Sequence, residues 1–225
     1  MEGISNWKIW ELTAVTVLLC MMPWISRALR DERRTGLEKI ALALGFSFEP
    51  DARMLPPEIL EAAPLFKLGH LGEASNLLCK SVGRGTLYVF DYAYAVDGGS
   101  RSGKGERRQT VAVFPVSGHL PQFQLYPEHL GHKIMQLFGY QDIDFADSPE
   151  FSSMYLLRGT DEAAVRRVFS VEARRLLSGM PGWHVEGGGA WLAVYKTVDR
   201  QSPDAYPDYI KQAGDISSVF GGPRA

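Results

Sequence analysis

Residues 98–105 read GGSRSGKG, which has nearly the spacing of a nucleotide-binding P-loop: a glycine, four residues, then Gly103 and Lys104. A functional P-loop lies between a strand and a helix whose N-terminal N–H groups bind the phosphates, and a Ser or Thr after the lysine binds Mg²⁺. Here Gly105 follows the lysine, and residues 107–116 alternate in polarity as a strand does. The sequence therefore predicts a polar hairpin tip at this position rather than a nucleotide site.

Four basic residues cluster at and beside this tip: Arg101, Lys104, Arg107 and Arg108. On a membrane-tethered protein, such a cluster is suited to contact anionic lipid headgroups or an acidic partner. Solvated loop charges explain the same pattern, and we prefer this interpretation to contact with an anionic surface.

Histidines and aspartates in the middle of the chain are further candidates for chemistry. His129 and His132 lie three residues apart on an amphipathic helix predicted over residues 127–139, but EHLGH is neither HExxH nor HxxEH, and the spacing places no third metal ligand. Asp142 and Asp144 belong to an acidic run without the glycine and terminal glutamate of a calcium loop. No G-x-S-x-G nucleophile motif occurs. We therefore expect neither a metal nor a cofactor.

Asp91 differs from these residues because it lies within an otherwise apolar strand face. It shares that face with Leu87 and Val89, whereas Tyr88, Phe90, Tyr92 and Tyr94 share the other face. A buried carboxylate needs a partner such as an arginine or backbone donors. We interpret Asp91 as half of a structural pair that holds the sheet together, in preference to a catalytic carboxylate.

The composition excludes several classes of protein. At 225 residues, with 45% hydrophobic and 22% charged residues, the chain is long enough for one well-filled core, or one core and an appendage. The net charge of −2 provides no general attraction to nucleic acid, so we expect no nucleic-acid partner. Two cysteines, Cys20 and Cys79, form neither a disulfide framework nor a cysteine zinc site.

Residues 12–26 form an uncharged apolar run of 15 residues. A membrane-spanning helix needs about 20 apolar residues, a length that is reached if residues 7–11 are included with their charges at the interface. Leu18 and Leu19 lie within the run, and Trp10 and Trp24 lie toward its ends, where aromatic belts occur. A buried helix of a soluble domain is the alternative, although its charged face is missing here.

The charges that flank this run predict its orientation. The basic collar consists of Arg27, Arg30, Arg33 and Arg34, against Lys8 on the other side. The positive-inside rule therefore predicts that the body of the protein faces the cytoplasm.

The rest of the chain predicts an α+β fold, mainly an antiparallel sheet with flanking helices behind the N-terminal hydrophobic helix. Predicted strands cover residues 46–49, 73–82, 86–96, 107–116, 121–127 and 154–159, followed by a hairpin over 183–197 that turns at glycines 187–189. Besides the helix over 127–139, predicted helices cover residues 27–44 and 58–63, two stretches capped by Thr160 and Ser170, and residues 203–220. We divide the chain into a membrane anchor (1–29), a juxtamembrane helix and linker (30–64) and an α+β globular domain (65–225).

Four motifs, FDYAYAV, RRQTVAVF, QDIDFADSPEFSSMYLLRG and DEAAVRRVF, resemble a group of uncharacterised bacterial proteins that often carry an N-terminal hydrophobic segment. The resemblance covers roughly residues 64–196. It implies a bacterial, membrane-associated protein and transfers no catalytic residue. With the basic collar, it predicts a single-pass protein of the bacterial inner membrane whose C-terminal domain is cytoplasmic, export of this domain being the alternative.

These observations favour a membrane-anchored, non-catalytic domain that contacts the bilayer through its N-terminal segment and binds a protein or lipid partner. The alternative is a hydrolase-like enzyme whose cleft is assembled from His129, His132, Asp142 and Asp144. The enzyme requires these groups to converge in one pocket, whereas a binding domain requires an exposed apolar or basic patch.

Overall fold

The computed structural model describes residues 6–96, 105–128, 142–196 and 200–224, and for residues 6–20, 23, 25 and 26 it describes the backbone only. The helices are α1 (Asn6–Leu44), α2 (Pro57–Ala62), α3 (Pro149–Met154), α4 (Glu162–Val168), α5 (Val171–Ser178) and α6 (Tyr206–Ser218). The strands are β1 (Ser47–Glu49), β2 (His70–Val82), β3 (Gly85–Ala95), β4 (Glu106–Pro127), β5 (Tyr155–Gly159) and β6 (Trp183–Lys196). Two short 3-10 helices cover Pro64–Lys67 and Pro203–Ala205.

The six strands form one antiparallel sheet in the order β1-β2-β3-β4-β5, with β6 paired to β4. β4 is the central strand because it pairs along one edge with β3 and then β5, and along its other edge with β6. The predicted class, α+β with a mainly antiparallel sheet and flanking helices, is confirmed.

The strand β4 is long and bent, and β6 bends with it. The two strands predicted over 107–116 and 121–127 are therefore one strand, and the hairpin predicted at glycines 187–189 is wrong because β6 runs unbroken through them. The β4–β6 register shifts twice between Pro115 and Phe123, which places the bend opposite the glycines. A Cβ atom at Gly187 would overlap the Phe123 ring, so the glycine run provides room for close packing rather than a turn.

Two hydrophobic cores lie on opposite faces of the sheet. The first core lies between the sheet and helices α1 and α3–α6, and it receives Leu87 and Val89 of β3. The second core lies under α2 and the 3-10 helix that follows it, and it receives Phe90, Tyr92 and Tyr94. These three aromatic side chains, which the strand alternation places on one face, are buried in the second core.

The C-terminal end of helix α1 packs against the body of the protein. Leu37 and Ala41 are buried in the first core, and the helix ends at Leu44 as the sequence predicts. Gly45 follows with a φ of 72°, and Phe46 N donates to Ala41 O at 2.8 Å, which closes a Schellman motif.

The N-terminal part of α1 carries the predicted membrane residues. Trp24 is 77% exposed, whereas the side chains of Trp10, Leu18 and Leu19 lie outside the described residues. Within the described part of the chain, no helix combines the length and apolarity of a membrane span.

The starts of helices α4 and α5 test the predicted caps. Ser170 caps α5 by accepting a hydrogen bond from Ala173 N at 3.2 Å, as predicted. The cap of α4 is Asp161, not Thr160: Asp161 Oδ1 accepts from Ala164 N at 2.9 Å. Thr160 N donates to a β4 carbonyl at 3.3 Å, so this residue still belongs to the sheet edge. The helix predicted over residues 127–139 lies almost entirely outside the described residues.

Replacing Gly187 by alanine should destabilise the protein, because the added methyl group would overlap the Phe123 ring in the first core. Overpacking of this kind costs about 1–3 kcal/mol, measured as a loss in the free energy of unfolding in urea. Gly179→Ala is the matched control, since Gly179 has a helical φ of −77° and the atom nearest to its Cβ would be 3.4 Å away. Equal stability of the two variants would contradict the close packing at Gly187.

Candidate functional site

Asp91 lies in the sheet on the face that α1 and α6 cover. In the register of β2, β3 and β4 it stands between Ser75 and Thr110, and its side chain is 5% exposed. The Arg33 guanidinium binds it in a bidentate pair, with Nε and Nη2 donating to the two carboxylate oxygens at 2.8 Å and 2.7 Å. The interpretation of Asp91 as half of a buried structural pair is therefore confirmed, and its partner is an arginine of the basic collar.

Three further donors surround the same carboxylate. Asn76 Nδ2 donates to it at 2.9 Å, Thr110 Oγ1 at 3.2 Å and Tyr206 OH at 3.4 Å. A buried carboxylate loses its hydration, and these donors together with Arg33 replace it. The carboxylate consequently joins α1, β2, β4 and α6 at one point.

A bulge in β2 brings Asn76 to this site. The register between β2 and β3 shifts between Ser75 and Leu78, Asn76 has a positive φ of 52°, and its N–H donates to Pro50 O at 2.8 Å. Neighbouring side chains of a regular strand point to opposite faces, so without the bulge Asn76 would point away from the face of Ser75. The bulge therefore directs the amide toward Asp91.

Arg33 also fixes the loop after β6. Its Nη1 donates to Gln201 O at 2.8 Å, and Gln201 N donates to Thr110 Oγ1 at 3.0 Å. Burial acts to lower the pKa of Arg33, but the hydrogen bond and the charge of Asp91 outweigh burial and raise this pKa above its ordinary value. Arg33 therefore stays charged, and it holds the residue that follows Arg200 in place.

An open cleft of 540 Å³ lies over this ion pair, between α1 and the ends of β2, β3 and β4. Ala93 stands between Glu73 and Arg108 in the register, so a small side chain lies where a large one would fill the cleft. Charged side chains of both signs line the cleft beside Asn76: Arg30, Arg33, Arg34, Arg108 and Arg200, and Asp31, Asp51, Glu73, Asp91 and Glu106.

Arg30 and Arg200 differ from Arg33, Arg34 and Arg108 of this cleft, which each have a carboxylate partner. Arg33 binds Asp91, and Arg108 binds Glu106 at 2.6 Å. No acceptor among the described residues lies within hydrogen-bonding distance of the Arg200 guanidinium. Its partial burial lowers the pKa of Arg200, as do the charges of Arg33 and Arg108, against the attraction of Asp91. The cleft thus holds a cation beside two others.

The basic residues proposed to contact an anionic surface divide between three places. Arg108 lines the cleft, and its neighbour Arg107 points to the opposite face of the sheet. Arg101 and Lys104 lie outside the described residues. β4 begins at Glu106, so a strand and not a helix follows the P-loop-like stretch, as the sequence predicts.

The enzyme candidates are described only in part. His129 and His132 lie outside the described residues. Asp142 Oδ1 accepts a hydrogen bond from Leu157 N at 2.9 Å, and partial burial raises the pKa of Asp142. Asp144 is exposed. Among the residues that the structure describes, no three potential metal-ligating side chains of His, Cys, Asp or Glu come together.

A second buried carboxyl group, that of Glu186 on β6, lies on the face of the second core. One oxygen accepts from Leu65 N at 2.8 Å, and the other accepts from Tyr126 OH at 3.1 Å and Tyr195 OH at 2.8 Å. The His184 ring stacks on the Tyr195 ring with centroids 4.8 Å apart. Complete burial raises the pKa of Glu186 against the opposing effect of its three donors. This network joins the 3-10 helix at Pro64–Lys67 to β4 and β6.

Sequence reasoning identified neither Glu186 nor Arg200 as a candidate. Glu186 directly precedes the glycine run that was interpreted as a turn. Arg33 was recognised only as part of the collar, although it lies four residues before Leu37 and eight before Ala41, both buried. That helical spacing places Arg33 on the inward face of α1 and could have assigned it to Asp91. Arg200 lies in a loop, where no periodicity marks it.

The fold defines a class of α+β protein with one bent antiparallel sheet covered on both faces. This chain is similar to a solved structure described as the crystal structure of the mycobacterial trehalose monomycolate transport factor A, TtfA. The TM-score is 0.54 and the identity 14%, over 87% of this chain and 97% of that chain, so the likeness shows the fold alone. No family model and no curated protein matches the chain. TtfA is a bacterial protein, in line with the bacterial resemblance of the motifs.

Replacing Asp91 by asparagine should destabilise the protein by about 3–5 kcal/mol, because it leaves the Arg33 charge buried without its counter-ion. Asp51→Asn is the matched control: Asp51 pairs with Arg34 at 3.3 Å, but the two side chains are 60% and 44% exposed. Exposed pairs of this kind contribute about 0–1 kcal/mol. Urea unfolding measures both losses, and a loss for Asp91→Asn as small as that of Asp51→Asn would refute the structural role.

The raised pKa of Glu186 predicts a pH dependence of stability. Between the ordinary glutamate pKa of 4.5 and the raised value, the folded protein holds a proton that the unfolded chain has lost, so stability falls as pH rises through this window. Glu186→Gln is neutral at every pH and lacks this slope. The free energy of unfolding of the wild type minus that of the variant should therefore decrease with rising pH. A difference that does not change with pH would show that Glu186 is not held protonated.

Proposed function

We propose that the protein is a single-pass, membrane-anchored, non-catalytic binding domain of the bacterial inner membrane, with its body in the cytoplasm. Residues 1–29 are the anchor, residues 30–64 connect it to the sheet, and residues 65–225 form the binding domain. The boundary between the anchor and the connecting segment falls within α1, so the anchor and the first core share one helix.

The observation that carries this proposal is the exposure of α1 before it reaches the core. The described side chains from Met21 to Glu32 are all exposed, among them four large apolar ones: Met21, Met22, Trp24 and Leu29. Exposed apolar side chains concentrated on one helix favour contact with a membrane or a partner. Residues 6–32 of α1 form a helix about 40 Å long, which exceeds the hydrocarbon thickness of about 30 Å.

The charges beyond the apolar run support the cytoplasmic orientation. The basic collar that begins at Arg27 follows the run, and only Lys8 precedes it. Basic residues favour the cytoplasmic side of bacterial membranes. The body of the protein follows the collar and is therefore proposed to lie on that side.

Two observations support a non-catalytic role. The charged groups of the described cleft are mostly engaged in structural ion pairs, as Arg33 is with Asp91 and Arg108 with Glu106. The fold resembles that of TtfA, which is described as a trehalose monomycolate transport factor. This support is an analogy between folds.

Placing charge in the apolar run should release the protein from the membrane. Each arginine near the centre of a span costs about 2.5–3.5 kcal/mol of insertion free energy, so Leu18→Arg combined with Leu19→Arg should move the protein out of carbonate-washed bacterial membranes. Leu42→Arg is the control, because Leu42 lies on the same helix beyond the anchor and is 82% exposed. It should stay in the membrane pellet with the wild type.

Recovery of the wild-type chain in the carbonate supernatant would overturn the anchor. The orientation is tested by fusing alkaline phosphatase to the C-terminus, since this enzyme is active only after export. We expect an inactive fusion, and phosphatase activity would instead place the body outside the cytoplasm.

A further inference from the structure

The cleft over the Asp91–Arg33 pair is lined in part by Arg200, an exposed residue of the loop after β6. Arg200 lies beside Arg33 and Arg108, whose charges repel it, and no acceptor among the described residues binds its guanidinium. Arg200 is exposed and also lines the cleft, so a ligand that enters from water can reach its guanidinium. Arg33 and Arg108 each already have one carboxylate partner, so Arg200 carries the charge that a bound anion would neutralise.

The backbone holds this arrangement in place without an anion. Gln201, the residue after Arg200, donates its N–H to Thr110 and accepts a hydrogen bond from Arg33 Nη1 through its carbonyl oxygen. Arg108 lies two residues before Thr110 on β4, so both side chains point to the cleft face about 7 Å apart. All three arginines are therefore attached to fixed backbone around one opening.

The shape of the cleft leaves room for a ligand of phosphate size. Ala93 occupies the position next to Arg108 in the sheet, and the cleft volume of 540 Å³ exceeds what one phosphate group fills. Arginine has five N–H donors, and the recorded pair with Glu106 uses one nitrogen of Arg108. Donors of Arg108 and Arg200 thus remain for an oxyanion that presents several acceptor oxygens.

The carboxylates of the cleft do not occupy this position. Asp91, Glu106 and Asp51 are paired with Arg33, Arg108 and Arg34, and Asp31 lies on α1. Glu73 stands on β2, two strands away from Arg108 and therefore about 10 Å from it across the sheet. The cationic side of the cleft is accordingly the side of β4 and Arg200.

We propose that this cleft is a phosphate-binding site, in which Arg200 and Arg108 bind the phosphate oxygens and Arg33 adds its charge while remaining paired with Asp91. The location of the cleft near the membrane rests on the proposed anchor. If residues 1–29 are the anchor, Arg30 and Arg33 lie about 6–11 Å along α1 from residue 26, at the level of lipid headgroups. The phosphate can then belong to an anionic phospholipid, and otherwise to a free phosphate compound.

The test uses the full chain in a neutral detergent and measures the midpoint of thermal unfolding as inorganic phosphate is added at constant ionic strength. Binding to the folded state raises the midpoint. We expect the apparent affinity for phosphate to fall about 10- to 100-fold in Arg200→Gln, because one charge-assisted contact is lost. Arg167→Gln is the control, since it removes the same charge from an exposed position on α4.

Arg200→Gln removes repulsion from its neighbours, so this variant should fold at least as well as the wild type. Arg108→Gln provides a second, independent variant with the same expected loss. The proposal fails if phosphate does not shift the wild-type midpoint, or if Arg200→Gln responds to phosphate as Arg167→Gln does.

Nanodiscs distinguish the two sources of the phosphate group. If a lipid headgroup occupies the cleft, adding phosphatidylglycerol to phosphatidylcholine nanodiscs raises the wild-type midpoint, free phosphate then adds nothing, and Arg200→Gln does not respond. If a free compound is the ligand, phosphatidylglycerol has no effect and phosphate still stabilises the protein. The detergent measurement does not depend on the anchor, so release of the chain by carbonate would overturn the anchor and leave the phosphate result standing.

Discussion

The carboxylate of Asp91 is the point at which four elements of this fold meet. A charge in a sheet covered by helices is unfavourable unless its lost hydration is replaced, and here the replacement comes from Arg33, Asn76, Thr110 and Tyr206 on different parts of the chain. Each donor reaches the Asp91 carboxylate only when the helix or strand that carries the donor is packed in its final position. The pair therefore specifies one arrangement of α1 on the sheet, where apolar contacts alone would tolerate sliding.

The bend shared by β4 and β6 has a comparable effect on the other half of the molecule. The β4–β6 register shifts at this point, in a sheet that carries a core on each face. Phe123 fills the inside of the bend, and Gly187 leaves the space that its ring needs. Glu186 directly precedes Gly187, and its carboxyl group fixes the second core through Tyr126 and Tyr195.

Local patterns in the sequence predicted most elements of the fold, because alternation and helical spacing directly reflect which face is buried. They also predicted the pairing of Asp91, since a carboxylate on an apolar face must find a partner. They failed at the glycines 187–189, because a glycine run permits a turn and close packing equally, and only the position of Phe123 decides. Arg200 could not be found, since its role follows from neighbours that are brought together by the sheet register and by the loop after β6.

Helix α1 runs unbroken into the first core, so the number of residues between Trp24 and Arg33 sets how far the helix turns between them. Between Trp24 and Arg33 the helix advances about 14 Å, and each residue turns it by about 100°. The surface that Trp24 contacts therefore fixes the direction in which Arg33 points around the helix axis. It also fixes the direction in which the cleft opens relative to that surface. Inserting or deleting a single residue in this stretch would leave every side chain intact and yet point the cleft a quarter turn or more away from its former direction.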